Sequence, residues 1–397
     1  MWGALGEPML QISELLKIVI EKGINHKKYR KHLNPLRFRM DLPPVVVWNV
    51  NNTCNMTCPH CYSSAKIHSQ SDEIIQKEAL YIIDSLKAFG ITVIIFSGGE
   101  PLLRNDLIYL IEYANNLGIT CHLSTNGTLI TQDIAHKLKE AGVKYVGVSI
   151  DGLDGFNNKY RGMENAFKLS WDGILNAQNA GMATGIRITV TSYNADQVMP
   201  LMELAIRHHI PRFYLSHLVY GGRGEAYSKY DMDKNNNKKL MKALFDKAVE
   251  HIENEIPLSI VTGGNDADGV FLYLYVKKLF GEEKANILYD LLEARGGNSA
   301  GEKIINIDYK GNVHPDQFWQ TSECGNILHE TLSNILQSEL IQSLKNRKLF
   351  LKGDCKDCEY MSICRGSHRE RALVTFGDLW LTDPSCYIIK NNIESFF

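Results

Sequence analysis

Apolar runs of six or seven residues recur through the first half of the chain, each followed by a longer stretch whose apolar positions fall three or four apart. The runs at 45–50 (VVVWNV), 91–97 (ITVIIFS), 119–124 (ITCHLS), 144–150 (KYVGVSI), 185–191 (GIRITVT) and 212–218 (RFYLSHL) are rich in β-branched and aromatic residues and read as strands. Between them, 74–88, 105–117, 131–141, 165–180 and 196–208 carry the helical period, and Gly118, Gly142 and Gly181 stand where three of them should stop. Six such alternations predict an α/β fold, an open parallel (β/α)6 barrel whose functional groups sit on the loops after the strand ends. Beyond residue 225 the rhythm changes to helix, a Gly/Asp-rich turn at 263–269, further helix, and a hairpin around INIDYKGNVHP with Lys310 and Gly311 as its turn. The expected division is an N-terminal helical segment (1–40), a barrel core (41–225), a helical connecting region (226–300) and a smaller α+β domain (301–397).

The N-terminal stretch is apolar, but Glu14, Lys17 and Glu21 interrupt it at helical spacing, which predicts an amphipathic helix packed on the main domain and not a signal peptide. At 397 residues, 44% hydrophobic, the chain can bury one large core and a satellite. A formal charge of −2 supplies no basic field for nucleic acid, and no run approaches the roughly 20 apolar residues of a membrane span. Nine cysteines, seven of them in two tight groups, suit metal ligation in a reducing, oxygen-poor cytoplasm better than a disulfide framework.

The first group reads CNMTCPHC, placing Cys54, Cys58 and Cys61 at the end of the first predicted strand. Three thiolates can hold three irons of an iron-sulfur cube and leave the fourth open; a zinc knuckle completed by His60 or His68 is the alternative. After the second strand comes Ser97-Gly98-Gly99-Glu100-Pro101, where paired glycines allow close backbone approach and Glu100 can receive an ammonium. The second group, CKDCEYMSIC with a later cysteine, offers Cys355, Cys358, Cys364 and Cys386 to one closed centre, either iron-sulfur or structural zinc. Cys121 and Cys324 are left over and read as small buried hydrophobes.

The three-cysteine motif followed by GGEP on a partial β/α barrel resembles the radical S-adenosylmethionine (SAM) superfamily, over roughly residues 45–220. That resemblance implies a [4Fe-4S] cluster whose open iron chelates the amino and carboxylate groups of SAM, and one-electron cleavage to a 5′-deoxyadenosyl radical. It further implies that Cys54, Cys58 and Cys61 hold this catalytic cluster, that His60 lies against the adenine with Leu215 beside it, and that Gly98, Gly99 and Glu100 hold the methionine amine. Ser149 and Asp151 in VSIDG match ribose-contacting positions, Arg161 in YRG matches a SAM-carboxylate arginine, and Asn126 in STNG is a further site candidate. The second cysteine group resembles a SPASM or twitch extension, which implies one auxiliary [4Fe-4S] cluster; Asp316 and His368 stand where cysteines of a second auxiliary cluster would be. A low-potential donor such as ferredoxin or flavodoxin is the implied electron source.

The segments FYLSHLVYGGRGEAY, TGGNDADG, GNVHPDQFW and CRGSHRERA resemble the tetrapyrrole-modifying branch of that superfamily. The implied reaction is removal of two acetates from didecarboxysiroheme to give Fe-coproporphyrin III, in heme biosynthesis through siroheme. NirJ-type propionate oxidation and peptide modification are the other readings. A flat macrocycle rimmed by carboxylates asks for an aromatic slot edged by arginines. Tyr214, Tyr220, Phe318 and Trp319 are candidates for the slot, and Arg187, Arg212, Arg223, Arg365, Arg369 and Arg371 for its rim. His217, His314 and His368 are candidate axial ligands to the substrate iron.

Overall fold

The computed structural model describes residues 9–21, 42–68, 72–319 and 321–388. Residues 1–8 and 22–40 of the expected N-terminal segment, residue 41 of the expected core, and 389–397 of the expected C-terminal domain lie outside the described residues. The strands are β1 (Leu10–Gln11), β2 (Val45–Asn49), β3 (Val93–Ser97), β4 (Thr120–Thr125), β5 (Val143–Ser149), β6 (Ala183–Val190), β7 (Arg212–His217), β8 (Ser259–Gly263), β9 (Ile304–Ile307), β10 (Asn312–His314) and β11 (Gly325–Asn326). They form one sheet in the order β1-β8-β7-β6-β5-β4-β3-β2-β9-β10-β11, with β2 to β8 parallel and adjacent in chain order.

Helices Gln76–Phe89, Leu107–Asn116, Gln132–Glu140, Ala166–Asn179 and Val198–Arg207 return the chain between these strands. The period of two along each strand divides the sheet's faces. Trp48, Phe96, Leu123, Val148 and Phe213 pack outward into the main core with those helices, whereas Val47, Ile95, Ser124, Ser149 and Tyr214 line one shared cavity. Strands far apart in the order face the same space, so the sheet is curled into an open barrel.

Two features depart from the expected division. A seventh parallel strand, β8, lies inside the region expected to be helical, because its short SIVTG run leads straight into a glycine-rich turn that hides it. β9, expected to begin a separate domain, docks parallel on β2 and continues the barrel sheet, with Val46 opposite Ile305 and Trp48 opposite Ile307. A pairing across 259 residues of chain, Val46 to Ile305, leaves no local signature. β9 thereby covers the open edge of β2, as β1 covers that of β8 by antiparallel pairing. The hairpin from β9 to β10 turns through Tyr309, Lys310 and Gly311, not the last two alone: the Asp308 amide donates to the Asn312 carbonyl at 2.9 Å, and Gly311 takes φ +86°.

The N-terminal helix Ile12–Ile20 buries Ile12, Leu15, Leu16 and Val19 and leaves Glu14 and Lys17 in solvent. Its apolar stripe lies on the helix Lys234–Glu253 and on β8. The helices Ala267–Phe280 and Glu282–Arg295 pack on each other and on the short turn Met361–Cys364, joining the C-terminal residues to the barrel.

A fully buried ion pair fastens this junction. Arg371 Nε and Nη2 donate to the two oxygens of Asp383 at 2.8 and 2.6 Å, while Nη1 donates to the carbonyls of Leu218 and Gly264 at 3.0 and 2.7 Å. Burial opposes the Asp383 charge, but the guanidinium outweighs it and holds the carboxyl at about 2. Asp383→Ala leaves Arg371 buried and uncompensated and should cost about 3–5 kcal/mol. Anaerobic urea unfolding measures this, and Arg371→Met combined with Asp383→Leu should recover most of the loss.

Candidate active site

The cavity opens at the C-terminal rim of the parallel strands and is walled on its far side by Asn265, Asp266, Arg295, Asn298, Phe318 and His368. The cavity has a volume of ≈ 230 Å³.

The cysteine loop and the SGGEP turn are laced together backbone to backbone. The Gly99 amide donates to the Asn51 carbonyl at 3.1 Å, the Glu100 amide to the Thr53 carbonyl at 2.7 Å, and Asn51 Nδ2 to the Glu100 carbonyl at 2.8 Å. A β-carbon at Gly98 would strike Asn51, and one at Gly99 would strike the Thr53 carbonyl, so only glycine permits this approach. Gly98 and Gly99 line the cavity. Glu100, expected to receive an ammonium, does not: fully buried, it accepts from Thr125 Oγ1 at 2.7 Å, the Asn126 amide at 2.8 Å and the Leu102 amide at 3.1 Å. Burial pushes its carboxyl upward, and those donors oppose the rise. Its sequence position is right for the rim, but the neighbouring strand end uses up its oxygens.

Asp151 is likewise a hub and not a free ribose contact. Its Oδ2 meets Arg161 Nη2 at 2.7 Å and His60 Nε2 at 3.2 Å, and its Oδ1 accepts the Thr189 amide at 2.9 Å. One fully buried carboxylate thus ties the cysteine loop, the helix Asp154–Arg161 and β6 together. Burial works against the Arg161 charge, and Asp151 outweighs it, so the guanidinium is held protonated. Burial pushes the His60 imidazole pKa down, toward the neutral ring. His60 lines the cavity and stacks on Tyr160 with centroids 5.2 Å apart. Ser149 and Asn126 also line the cavity; Asn126 Nδ2 donates to Asn55 Oδ1 at 2.8 Å and stands 3.9 Å from the Cys54 sulfur. Leu215, expected beside an adenine, faces the other way: it is fully buried in the outer core, and its neighbours Tyr214 and Ser216 face the cavity instead. The period of two along β7 decides this.

Cys54, Cys58 and Cys61 all line the cavity. Burial raises the Cys54 thiol to about 12 and the Cys58 thiol to about 11, with the neighbouring cysteines adding to the rise. Such thiols become thiolates only beside a compensating cation. An iron-sulfur cluster supplies that cation, so the donor set fits it. Arg223 props the loop, its Nε donating to the Cys58 carbonyl at 2.9 Å and its Nη1 to the Ala65 carbonyl at 2.7 Å. In the second group, burial raises the Cys364 thiol well above its ordinary value, and the charges of Cys386, Cys355 and Cys358 add to this. Four thiolates would fill every corner of one closed cluster. Cys121 is fully buried in the core, and Cys324 packs partly buried against it.

Of the residues expected at a macrocycle slot, Arg187, Tyr214 and Phe318 line the cavity. Arg187 lies over the Tyr214 ring at 5.2 Å and donates to Ser124 Oγ at 2.5 Å. The rest serve the fold. Arg212 lies over Tyr145, Arg365 pairs with Glu302, Arg369 donates to the carbonyls of Leu379, Leu381 and Gly366, and Tyr220 bonds Asp231 and Ser385. Trp319 is wholly buried away from the cavity. Sequence reasoning missed Tyr62, whose hydroxyl donates to Asn49 Oδ1 at 3.1 Å and whose ring meets Phe318 edge-on; it adjoins Cys61, which was a usable signal. Arg295 also lines the cavity, and nothing in its sequence context singles it out.

The model of the Radical SAM superfamily matches residues 48–205, and that of the SPASM iron-sulfur cluster-binding domain matches 299–359. The chain is 38% identical to the Fe-coproporphyrin III synthase of Methanosarcina barkeri, covering 94% of both chains. It is 37% identical to the pre-heme d1 synthase of Dinoroseobacter shibae, covering 90% of this chain and 89% of that one. Among solved structures, anSMEcpe with bound AdoMet superposes with a TM-score of 0.67 at 21% identity, covering 87% of this chain and 94% of that one. Streptococcus suis SuiB bound to S-adenosylmethionine gives 0.67 at 18%, covering 94% and 86%. The likeness to these two is one of fold. Among the described residues, no helix is long and apolar enough to cross a membrane.

Glu370 gives a pH test of the cavity's flank. It is 1% exposed, its Oε2 has no hydrogen-bond partner, and burial, then the Asp316 charge, raise its pKa from 4.5 to about 8. The folded state therefore holds this proton more tightly than the unfolded chain does. The associated stability is full below about pH 4.5 and is lost as pH rises through 8. Glu370→Gln should flatten the decline in urea midpoint between pH 6 and pH 9 that the unsubstituted protein shows.

Proposed function

This chain belongs to the radical SAM family with a SPASM-type C-terminal region, and on that premise we propose that it removes the two acetate side chains of didecarboxysiroheme to form Fe-coproporphyrin III. The observation that carries the reading is 38% identity to Fe-coproporphyrin III synthase over 94% of both chains. We assign one [4Fe-4S] cluster to Cys54, Cys58 and Cys61 and one auxiliary [4Fe-4S] cluster to Cys355, Cys358, Cys364 and Cys386.

When bound, the first cluster and SAM supply a 5′-deoxyadenosyl radical. The chain's own part is placement and exclusion. Ser97, Gly98 and Gly99 present backbone to the methionine end of SAM beside the three thiols. Glu100 and Asp151 act from behind, fixing the Asn126 turn and the Arg161 and His60 side chains. Arg187, braced on Tyr214 and Ser124, meets a side-chain carboxylate of the macrocycle, and Phe318 covers a face. Cys355, Cys358, Cys364 and Cys386 would hold an auxiliary cluster with no corner left for substrate, and such a cluster would supply a one-electron acceptor. A low-potential donor such as ferredoxin or flavodoxin supplies the reducing electron.

The 37% identity to pre-heme d1 synthase favours a second reading, oxidation of propionates on a related ring. Anaerobic incubation of the reconstituted protein with SAM, reductant and didecarboxysiroheme separates the two by mass: two successive acetate losses support the first, and replacement of propionate side chains by oxo groups supports the second. Cys355→Ala should leave 5′-deoxyadenosine release intact, lower iron from about eight to about four atoms per chain, and abolish the tetrapyrrole product. Product formed without the auxiliary cluster contradicts its role. Arg187→Ala should raise the KM for the tetrapyrrole on the order of ten- to a hundredfold, the equivalent of a charge-assisted contact worth about 1.5–3 kcal/mol.

A further inference from the structure

Three histidines were candidates for the fifth ligand of a substrate iron, and their surroundings separate them. His314 does not reach the cavity: its Nδ1 lies 2.8 Å from the Ser322 carbonyl and its Nε2 3.5 Å from Asp308. His217 lines the cavity, but its Nε2 is 3.0 Å from Asp268 Oδ2, and the other oxygen of that carboxylate takes the Tyr387 hydroxyl at 2.6 Å. This closed set ties β7 to the helix Ala267–Phe280 and to the C-terminal residues.

His368 differs from both. It lines the cavity at 3% exposure, and neither ring nitrogen has a hydrogen-bond partner. Its Nε2 lies 3.1 Å from Asp316 Oδ2 but outside hydrogen-bonding alignment. A buried imidazole with both nitrogens unsatisfied is costly and calls for a partner absent from the protein itself. His60 Nδ1 is also unsatisfied, but that ring belongs to the cysteine loop, stacked on Tyr160 and held by Asp151. His368 stands on the opposite wall, edge-on to Phe318 at 5.4 Å, and Phe318 in turn meets Tyr62 of the cysteine loop at 5.5 Å. The position therefore couples a nitrogen ligand, an aromatic face and, in Asp316, a carboxylate beside the same ring. Metal-bound histidines are characteristically oriented by a carboxylate of this kind.

We propose that His368 is the axial ligand to the iron of the tetrapyrrole substrate, with Asp316 as the positioning residue that orients its ring; this rests on the tetrapyrrole reading above. Ligation would fix the macrocycle's height and rotation over Phe318, and so decide which peripheral side chain faces the cysteine loop. It would also favour rings that carry iron over metal-free ones.

The test is anaerobic titration of the reconstituted protein with ferric didecarboxysiroheme and with its metal-free ring, followed by absorption and electron paramagnetic resonance. The unsubstituted protein should give the spectrum of histidine-ligated iron and bind the iron form at least tenfold more tightly than the metal-free ring. His368→Ala should lose that spectrum and the tenfold preference while keeping its affinity for the metal-free ring within threefold, and added imidazole should restore the spectrum. Rescue requires a folded pocket, so it separates ligand loss from misfolding. Asp316→Asn should keep the ligation but shift its spectrum. The inference is overturned if His368→Ala retains the native spectrum and preference, or if His217→Ala is the variant that loses them. Failure of the unsubstituted protein to bind either ring overturns the tetrapyrrole reading and this assignment with it.

Discussion

Two stretches of backbone that no side chain may separate set the geometry of this molecule. The loop carrying the first three cysteines and the SGGEP turn run against each other with amide-to-carbonyl distances of 2.7–3.1 Å, and the space between them admits no β-carbon at Gly98 or Gly99. The thiols are thereby held at the mouth of the barrel beside glycine backbone that lines the cavity. Everything the cavity can bind is positioned relative to that seam. Glu100 extends it to the next strand end, so three consecutive rim loops are joined by hydrogen bonds.

Electrostatics follow the same economy. Three buried carboxylates near the site are structural: Glu100 holds Thr125 and Asn126, Asp151 holds Arg161 and His60, and Asp383 holds Arg371. Pairs of this kind contribute little net stability against an apolar replacement, yet losing one partner is costly, so they specify position more than they stabilise. The polar groups still turned toward the cavity include Arg187, His368 and the cysteine thiols. That contrast between spent and unspent groups separates scaffold from site more sharply than residue type does.

Much of this was legible in the sequence, because the barrel is built from local units. Strands at 45–50, 91–97 and 212–218 and their intervening helices announce themselves through period and stopping glycines, and the observed elements fall within a few residues of them. The cysteine spacings likewise carry their own chemistry. What stayed hidden is non-local. β9 pairs with β2 across the length of the barrel, β8 is masked by its own glycine turn, and nothing local distinguishes Arg187, which faces the cavity, from Arg369 and Arg371, which are buried in the scaffold. Leu215 shows the limit of motif transfer: a shift of one residue along a strand exchanges cavity for core.

The C-terminal region does more than bring a second group of cysteines. By supplying β9 to the sheet and Phe318 and His368 to the far wall, it makes the cavity a joint product of both cysteine-bearing halves. The claim on which all of this turns is that the Cys54–Cys58–Cys61 corner leaves one iron free to chelate SAM. Electron-nuclear double resonance on the anaerobically reduced protein, with SAM labelled by 15N at its amino group, reads that directly. The account predicts a strong 15N coupling to the cluster, lost in Cys58→Ala; a reduced cluster with no such coupling, or zinc in place of iron at these cysteines, would contradict it.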